Sequence, residues 1–344
     1  MNAGLDVQTL DAAGASRCVL WRDASVGLMA VLVIDDLTLG PGAGGVRTRA
    51  YPSLAAALAE AAGLAQAMTR KCALAGLAAG GAKAVVIDHP GFDRARGFVR
   101  LGELVTELGG VFRTAGDLGT TAADLAAMAT SCPYVHVQER GLAEAVARGL
   151  VGCVAVCAEL RGRELAGLRV AVQGCGAIGE AVARALRARG ALLTVADLDA
   201  GLAARVAAAV DGQRSAPEEL LTADVDVVAP CAVGGVITAE LAARLRAFAV
   251  CGAANNILAG RDAAQVLAAR GILHVPDEVA SAGGVIEGIG ASVMGLADRR
   301  PLIDALAGTA RSLLQKSLAT GVLPVILAEQ RAREVIAGRR PGHP

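Results

Sequence analysis

Apolar and polar positions fall into blocks that read alternately as strands and helices. Leu28 to Ile34 (LMAVLVI) is a short apolar run bounded by glycine and by Asp35-Asp36, which predicts a strand. Residues 40–45 (GPGAGG) predict a turn-rich connection. A long alanine-rich helix is expected over about 53–70, capped by Ser53, with Glu60 its only acidic residue. Ala84 to Ile87 reads as a buried strand entered through Lys83, followed by a helix near 93–108 and a strand-like stretch at 110–114. From about 138 to 168 the chain turns helical and charged. Beyond Leu168 it settles into compact strand–helix–strand units, with strands at 168–174 and 191–197 and further ones near 225–228, 248–251 and 272–275. Such alternation implies a parallel sheet with helices on both faces.

The pattern predicts an α/β chain of two domains, in keeping with 344 residues. Residues 1–140 form an N-terminal α/β substrate and oligomerisation domain, and 141–309 a Rossmann-type dinucleotide-binding domain, with a cleft between them. Helices in about 310–344 pack back on the first domain or bridge the two. Hydrophobic residues make up 54% of the chain but aromatics only 2%, so the cores must be built from Ala, Val and Leu. Lys+Arg and Asp+Glu both number 33. That balance argues against nucleic acid or an anionic membrane as a partner, since both demand a basic excess. Neutrality with a positive mean hydropathy points to apolar surface covered by self-association, hence a homo-oligomer. No apolar run reaches the ~18 residues of a membrane span, and the first residues lack the pattern of a signal peptide; a cytoplasmic protein is expected. The eight cysteines form no CxxC and the four histidines have no metal-ligand spacing, so reduced thiols and no metal are expected.

Two places carry chemistry. Gly174, Gly176 and Gly179 form a GxGxxG directly after a strand and at the opening of a helix. That context lets the loop Gly174-Cys175-Gly176-Ala177-Ile178-Gly179 bring backbone and a helix N-terminus to a pyrophosphate. Asp197 ends the next strand, where a carboxylate binds ribose hydroxyls and repels a 2′-phosphate, so NAD is favoured over NADP. The second place is MTRKCALAGLAAGGAKAVVI, residues 68–87, in which Lys71 and Lys83 stand in an otherwise small, apolar run. A lysine serves as a base only if its pKa falls toward neutrality, and burial and a second ammonium both push it that way. On this reading Gly80 and Gly81 leave room for substrate or cofactor.

Eight motifs in order make the chain resemble the leucine/phenylalanine/valine branch of the Glu/Leu/Phe/Val amino-acid dehydrogenases. They are GPGAGGVR (40–47), MTRK (68–71), GLAAGGAK (76–83), TAGDLGTT (114–121), VQGCGAIG (172–179), APCAVGG (229–235), AANN (253–256) and PDEVASAGGVI (276–286). The resemblance implies NAD-dependent, reversible oxidative deamination of an L-amino acid to a 2-oxo acid and ammonia. It implies that Lys71 binds the substrate carboxylate, with Gly44 and Gly45 shaping that end of the pocket. Lys83 would be the base that activates water, and Asp117 would exchange a proton with the amino group. Cys231, Ala232, Ala254, Asn255 and Asn256 would lie at the cofactor, and Ala43, Ala115, Val285 and Gly288 would wall the side-chain pocket.

The chain departs from the family at three places. Residues 139–153 lack the Pro, Ser, Thr and Asn of the usual segment before the first cofactor-domain helix. Ser281 replaces an asparagine. Ala43 and Gly288 stand where leucine and valine are common, which enlarges the pocket toward a bulky apolar or aromatic substrate. Two other readings stay open: the same chemistry on a specialised biosynthetic substrate, and a non-catalytic paralogue that binds nucleotide or amino acid.

Overall fold

The computed structural model describes residues 17–137 and 141–339. It divides into two compact units, one of residues 1–139, 288–296 and 332–344, the other of residues 140–287 and 297–331.

The first unit holds a five-stranded mixed sheet of β1 (Arg17–Asp23), β2 (Leu28–Asp36), β3 (Gly42–Arg49), β4 (Gly80–Ile87) and β5 (Phe112–Gly116), in the order β1-β2-β4-β3-β5. β1 and β2 pair antiparallel, as do β2 and β4, whereas β3 runs parallel to both β4 and β5. Its helices are α1 (Leu54–Leu74), α2 (Arg94–Glu107) and α3 (Ala122–Ala129). Period-2 alternation sorts the core into two faces. Val31, Val33, Val85 and Ile87 pack under Ala57, Leu58, Ala61, Ala62 and Ala65 of α1. Leu28, Ala30, Leu32, Ala82, Ala84 and Val86 pack on the other side with Phe98 and Leu101 of α2.

Two expectations fail here, for one reason. Residues 42–49 form a central strand, not a turn, and Lys83 stands in the middle of β4, not at its mouth. Gly-rich sequence reads as a turn because glycine is a poor strand former, yet here glycines are what let neighbouring backbones close up. A Cβ on Gly80 would lie 1.8 Å from the Asp36 carbonyl oxygen, and one on Gly81 2.2 Å from the Thr69 nitrogen of α1. Both glycines are buried. Their missing side chains serve close packing: Gly80 lets β4 close on the end of β2, and Gly81 seats α1 against the sheet. That helix begins at the expected cap, Ser53 Oγ accepting from the Ala56 amide at 3.1 Å, but runs on to Leu74 and so carries Lys71 in its last turn.

The second unit is built on β6 (Arg169–Gln173), β7 (Leu192–Ala196), β8 (Gln213–Arg214), β9 (Val227–Pro230), β10 (Ala249–Val250) and β11 (Leu273–His274). All pairs are parallel and the order is β11-β10-β9-β6-β7-β8. Strand order reverses between β6 and β9, the arrangement of a doubly wound dinucleotide fold whose ligand crevice lies at that switch. Between and after the strands come α4 (Leu142–Glu159), α5 (Ala177–Ala188), α6 (Ala200–Ala209), α7 (Pro217–Leu220), α8 (Ala239–Arg244), α9 (Arg261–Ala269) and α10 (Asp277–Ala280), then α11 (Gly283–Met294), α12 (Arg300–Thr320) and α13 (Pro324–Ala337). Helix α4 starts at Gly141 with a φ of 88° and no side-chain cap; the first residues of the altered 139–153 segment lie outside the described residues. No helix among the described residues is long and apolar enough to cross a membrane.

Candidate functional site

In the first unit, sheet register brings the chemistry together. β3 pairs Ala43 with Gly81 and Arg47 with Val85, and that offset sets Gly45 beside Lys83. β5 pairs Ala115 with Gly45, so Asp117 follows two residues later on the same face. Lys83 therefore reaches sideways over a glycine toward Asp117, and its Nζ meets Asp117 Oδ2 at 2.6 Å. Gly45 is what makes this possible: a Cβ there would fall 2.9 Å from the Asp117 Cβ. The bare backbone at Gly45 keeps open the lane of the ion pair. Gly44 is equally constrained, since its Cβ would lie 1.7 Å from the Ala82 carbonyl oxygen.

The residue that sequence reading left without a role is Arg47, on β3. Its Nε donates to Asp117 Oδ2 at 2.9 Å, its Nη2 to Oδ1 at 3.4 Å, and its Nη1 to Glu60 Oε1 at 2.5 Å. Arg47 closes the quoted GPGAGGVR, and an arginine alternating in-face with Gly45 was the available signal. Lys83 is only 6% exposed. Burial pushes its ammonium below the ordinary lysine pKa; the Asp117 carboxylate opposes that shift, and Arg47 and Lys71 add to it. Burial would raise the Asp117 pKa, but Lys83 and Arg47 outweigh it and hold the carboxyl below its usual range. Lys71 is half-buried in the last turn of α1, near enough for its charge to act on Lys83.

Of the pocket-wall residues, Ala115 is half-buried. Ala43 is 0% exposed and pairs with Gly81 inside the sheet. Val285 and Gly288 sit three apart on α11, hence on one helix face.

In the second unit the glycines of 174–179 divide the work as their spacing predicts. Gly174, with φ at +94°, makes the turn, and its Cβ would collide with Ala232 across the β6–β9 switch. Gly176 faces open space: nothing lies within 4 Å of its Cβ position. Gly179 brings α5 onto the loop, its Cβ position being 1.9 Å from the Gly174 carbonyl oxygen. Gly176 is also the N-cap of α5 and provides no side-chain cap, and Ala177 and Ile178 are exposed, so the amide end of the helix is open to an anion.

Asp197 follows β7 directly and accepts from the Cys175 amide at 2.7 Å and the Asp199 amide at 2.9 Å. A carboxylate has lone pairs beyond these two for ribose hydroxyls. Across the switch, Cys231 N donates to the Gln173 carbonyl at 2.7 Å and Ala254 N to that of Pro230 at 3.1 Å. Asn255 and Asn256 are exposed, and Asn256 adopts a left-handed φ of 52° with its amide on Asp277 Oδ2 at 2.9 Å. Burial and the charges of Asp197 and Glu180 push the Cys175 thiol up to about 11, so it stays neutral. The Ser281 hydroxyl turns back to the Asp277 carbonyl at 2.7 Å. The cysteines are unbridged.

Comparison with known proteins agrees with both halves. Residues 21–134 match the Glu/Leu/Phe/Val dehydrogenase dimerisation domain, and residues 203–291 match the glutamate/leucine/phenylalanine/valine dehydrogenase domain. Leucine dehydrogenase of Bacillus cereus is 32% identical over 332 residues, covering 93% of this chain and 90% of that protein. Phenylalanine dehydrogenase of Bacillus thermotolerans is 36% identical over 294 residues, covering 79% and 75%. The crystal structure of L-tryptophan dehydrogenase from Nostoc punctiforme superposes with a TM-score of 0.85 at 29% identity, covering 96% of this chain and 98% of that one. A doubly wound α/β fold together with these relatives defines an amino-acid dehydrogenase. The chain belongs to the Glu/Leu/Phe/Val dehydrogenase family, whose members are generally NAD(P)-dependent.

Proposed function

We propose that the protein catalyses reversible, NAD-dependent oxidative deamination of a bulky apolar or aromatic L-amino acid, with Lys83 as base and Asp117 as its proton-exchanging partner. The observation that carries this is the Lys83–Asp117 contact of 2.6 Å in a nearly solvent-free setting. A surface ion pair needs no such burial, and buried competing charges are the arrangement that tunes a proton-transfer group.

Lys71 anchors the substrate carboxylate. Asp117, ionised, accepts a proton from the substrate ammonium, leaving the amine whose lone pair assists loss of the α-hydrogen. A bound nicotinamide would supply the hydride acceptor for that hydrogen. Lys83, in its neutral form, takes a proton from water as the oxygen adds to the iminium carbon. Asp117 then returns its proton to the nitrogen. Ionised again, it takes the proton of the carbinol hydroxyl as the C–N bond breaks, so that the carbonyl forms and ammonia leaves. Lys83 sheds its proton to solvent. A buried base of this kind contributes about 10²–10⁴-fold to rate.

NAD is favoured by Asp197, whose charge opposes a 2′-phosphate, and by Leu198 and Ala200 beside it, which offer no cation. The fit of the crevice rests on the open face of Gly176 and the uncapped start of α5. These residues would hold the pyrophosphate, Asp197 would meet the adenosine ribose, and Cys231, Ala232, Ala254, Asn255 and Asn256 would line the rest of the crevice. Gly288, three residues from Val285 on α11, widens the substrate side, which favours a large side chain over valine. The match to a dimerisation domain, together with a net charge of zero and a positive mean hydropathy, supports self-association into a homo-oligomer.

The test is NADH formation by the purified protein with a panel of L-amino acids. The reading expects kcat/KM highest for leucine, phenylalanine or tryptophan and at least tenfold lower for valine and alanine, and NADP to be a poor substitute for NAD. Equal rates across the panel would remove the pocket argument. No turnover with NAD still bound would favour the non-catalytic alternative.

A further inference from the structure

The Lys83–Asp117 pair presents a problem if Lys83 is a base. A carboxylate at 2.6 Å stabilises the ammonium, and a lysine held in its charged form cannot take a proton from water. Something must weaken the hold of Asp117 without removing the carboxylate.

The geometry points to Arg47 as the positioning residue that does this: it grips Asp117 through both oxygens, shares its charge, and so lets Lys83 part with its proton. This rests on the proposed dehydrogenase reading and assigns a role to a side chain that touches neither substrate nor cofactor.

Three observations carry it. Asp117 Oδ2 is shared between Lys83 Nζ at 2.6 Å and Arg47 Nε at 2.9 Å, so one carboxylate oxygen serves two cations. Arg47 keeps its charge at every working pH. It therefore draws on the carboxylate permanently and repels the neighbouring ammonium. The guanidinium is also fixed from behind. Its Nη1 donates to Glu60 Oε1 at 2.5 Å, and Glu60 is held ionised chiefly by Arg47 against its own partial burial, with Arg49 Nη1 3.8 Å away. Glu60 is the one acidic side chain of α1, the helix that also supplies Lys71.

The groups facing Lys83 are thus Asp117 beyond β5, Arg47 from β3 and Lys71 from α1, with Glu60 and Arg49 one step behind. Asp117 is the strongest of these charges, and it takes burial together with the opposing cations Arg47 and Lys71 to hold Lys83 below the ordinary lysine pKa. Lysine in place of Arg47 would keep the charge but not the fork, since one ammonium cannot hold both Asp117 oxygens and Glu60 together.

The experiment compares wild type, Arg47→Lys and Arg47→Gln as full-length proteins. Two readouts are taken. One is the pH dependence of kcat/KM for amino-acid oxidation. The other is the pH midpoint of Lys83 carbamylation by cyanate, followed by peptide mass spectrometry, which reads the neutral amine and needs no activity. In Arg47→Gln the acidic limb and the carbamylation midpoint both move to higher pH by about one unit, the scale of losing one nearby charge. Arg47→Lys moves them in the same direction by less.

A midpoint unchanged across the series, with activity lowered equally at all pH values, would make Arg47 a structural residue and overturn the proposal. If Arg47→Gln does not fold, Arg47→Lys decides alone, because an unshifted midpoint there has the same meaning. If no amino acid is oxidised by the wild type but the midpoint still moves, the dehydrogenase reading fails while the role of Arg47 stands.

Discussion

The two candidate sites solve opposite problems. The one in the first unit is made of charge. Lys83, Asp117, Arg47 and Glu60 are tied within 2.5–2.9 Å of one another in a small, apolar setting. The one in the second unit is made of backbone. Gly174, Gly176 and Gly179 shape it, neutral thiols flank it, and Asp197 is the carboxylate that faces it with its own amide partners already in place. Proton transfer needs groups whose charge can be tuned, so it calls for burial and for competing ions. Holding a dinucleotide needs room and oriented N–H groups, so it calls for the absence of side chains. Glycine appears in both sites for different ends. Gly176 makes room for a ligand, whereas Gly45 makes room for an ion pair within the chain.

This contrast can be broken by substitution. The largest effect is expected for Asp117→Ala, which leaves Lys83 and Arg47 buried without their shared counter-ion. A loss of about 3–5 kcal/mol in denaturant-unfolding stability follows from stranding buried charge. Asp117→Asn, which still accepts hydrogen bonds, should cost less while abolishing proton exchange. A loss under ~1 kcal/mol for Asp117→Ala would mean the network is more hydrated than its burial implies.

Next comes a buried group that the second unit leaves unpaired. His274, on the edge strand β11, is 3% exposed, and burial drives its pKa down to about 4, opposed only by Glu278. Its folded pKa is below the unfolded value, so unfolding takes up a proton in this range. The stability this neutral imidazole contributes is complete above pH ~6.5 and is lost as pH falls toward 4, by up to about 3 kcal/mol. Relative to His274→Gln, wild type should lose stability more steeply over that window, and parallel curves would contradict the burial argument.

The smallest effect separates two glycines of one motif. Gly179→Ala pushes a methyl into the Gly174 carbonyl and should lower the melting temperature, at a cost of about 1–3 kcal/mol. Gly176→Ala meets nothing and should leave stability within ~0.5 kcal/mol while weakening NAD binding by calorimetry. If Gly176→Ala bound NAD normally, the open face would not be where the pyrophosphate approaches.

How much of this was legible in the sequence depended on whether the signal was local. The GxGxxG, its strand and its helix were readable because turn, strand and helix start lie within about ten residues, and each glycine has a local reason. Lys83 stood out as a charge in an apolar run, but Asp117 was readable only through resemblance, since 34 residues separate the two and only the β4-β3-β5 register brings them together. Arg47 was missed for the same reason: its partners lie 13 and 70 residues away. The Gly80-Gly81 pair misled because small residues beside a catalytic lysine read equally well as ligand space or as close packing. Only the position of α1, with Thr69 against Gly81, decides for packing.

The most direct test of the central claim is Lys83→Ala with NAD and the preferred amino acid, measured as kcat alongside NAD affinity. The account predicts a fall in kcat of about 10²–10⁴-fold, with NAD affinity unchanged because the cofactor crevice is a separate construction of the second unit, and partial recovery of rate by added small amines. Turnover at the wild-type level in Lys83→Ala would contradict it.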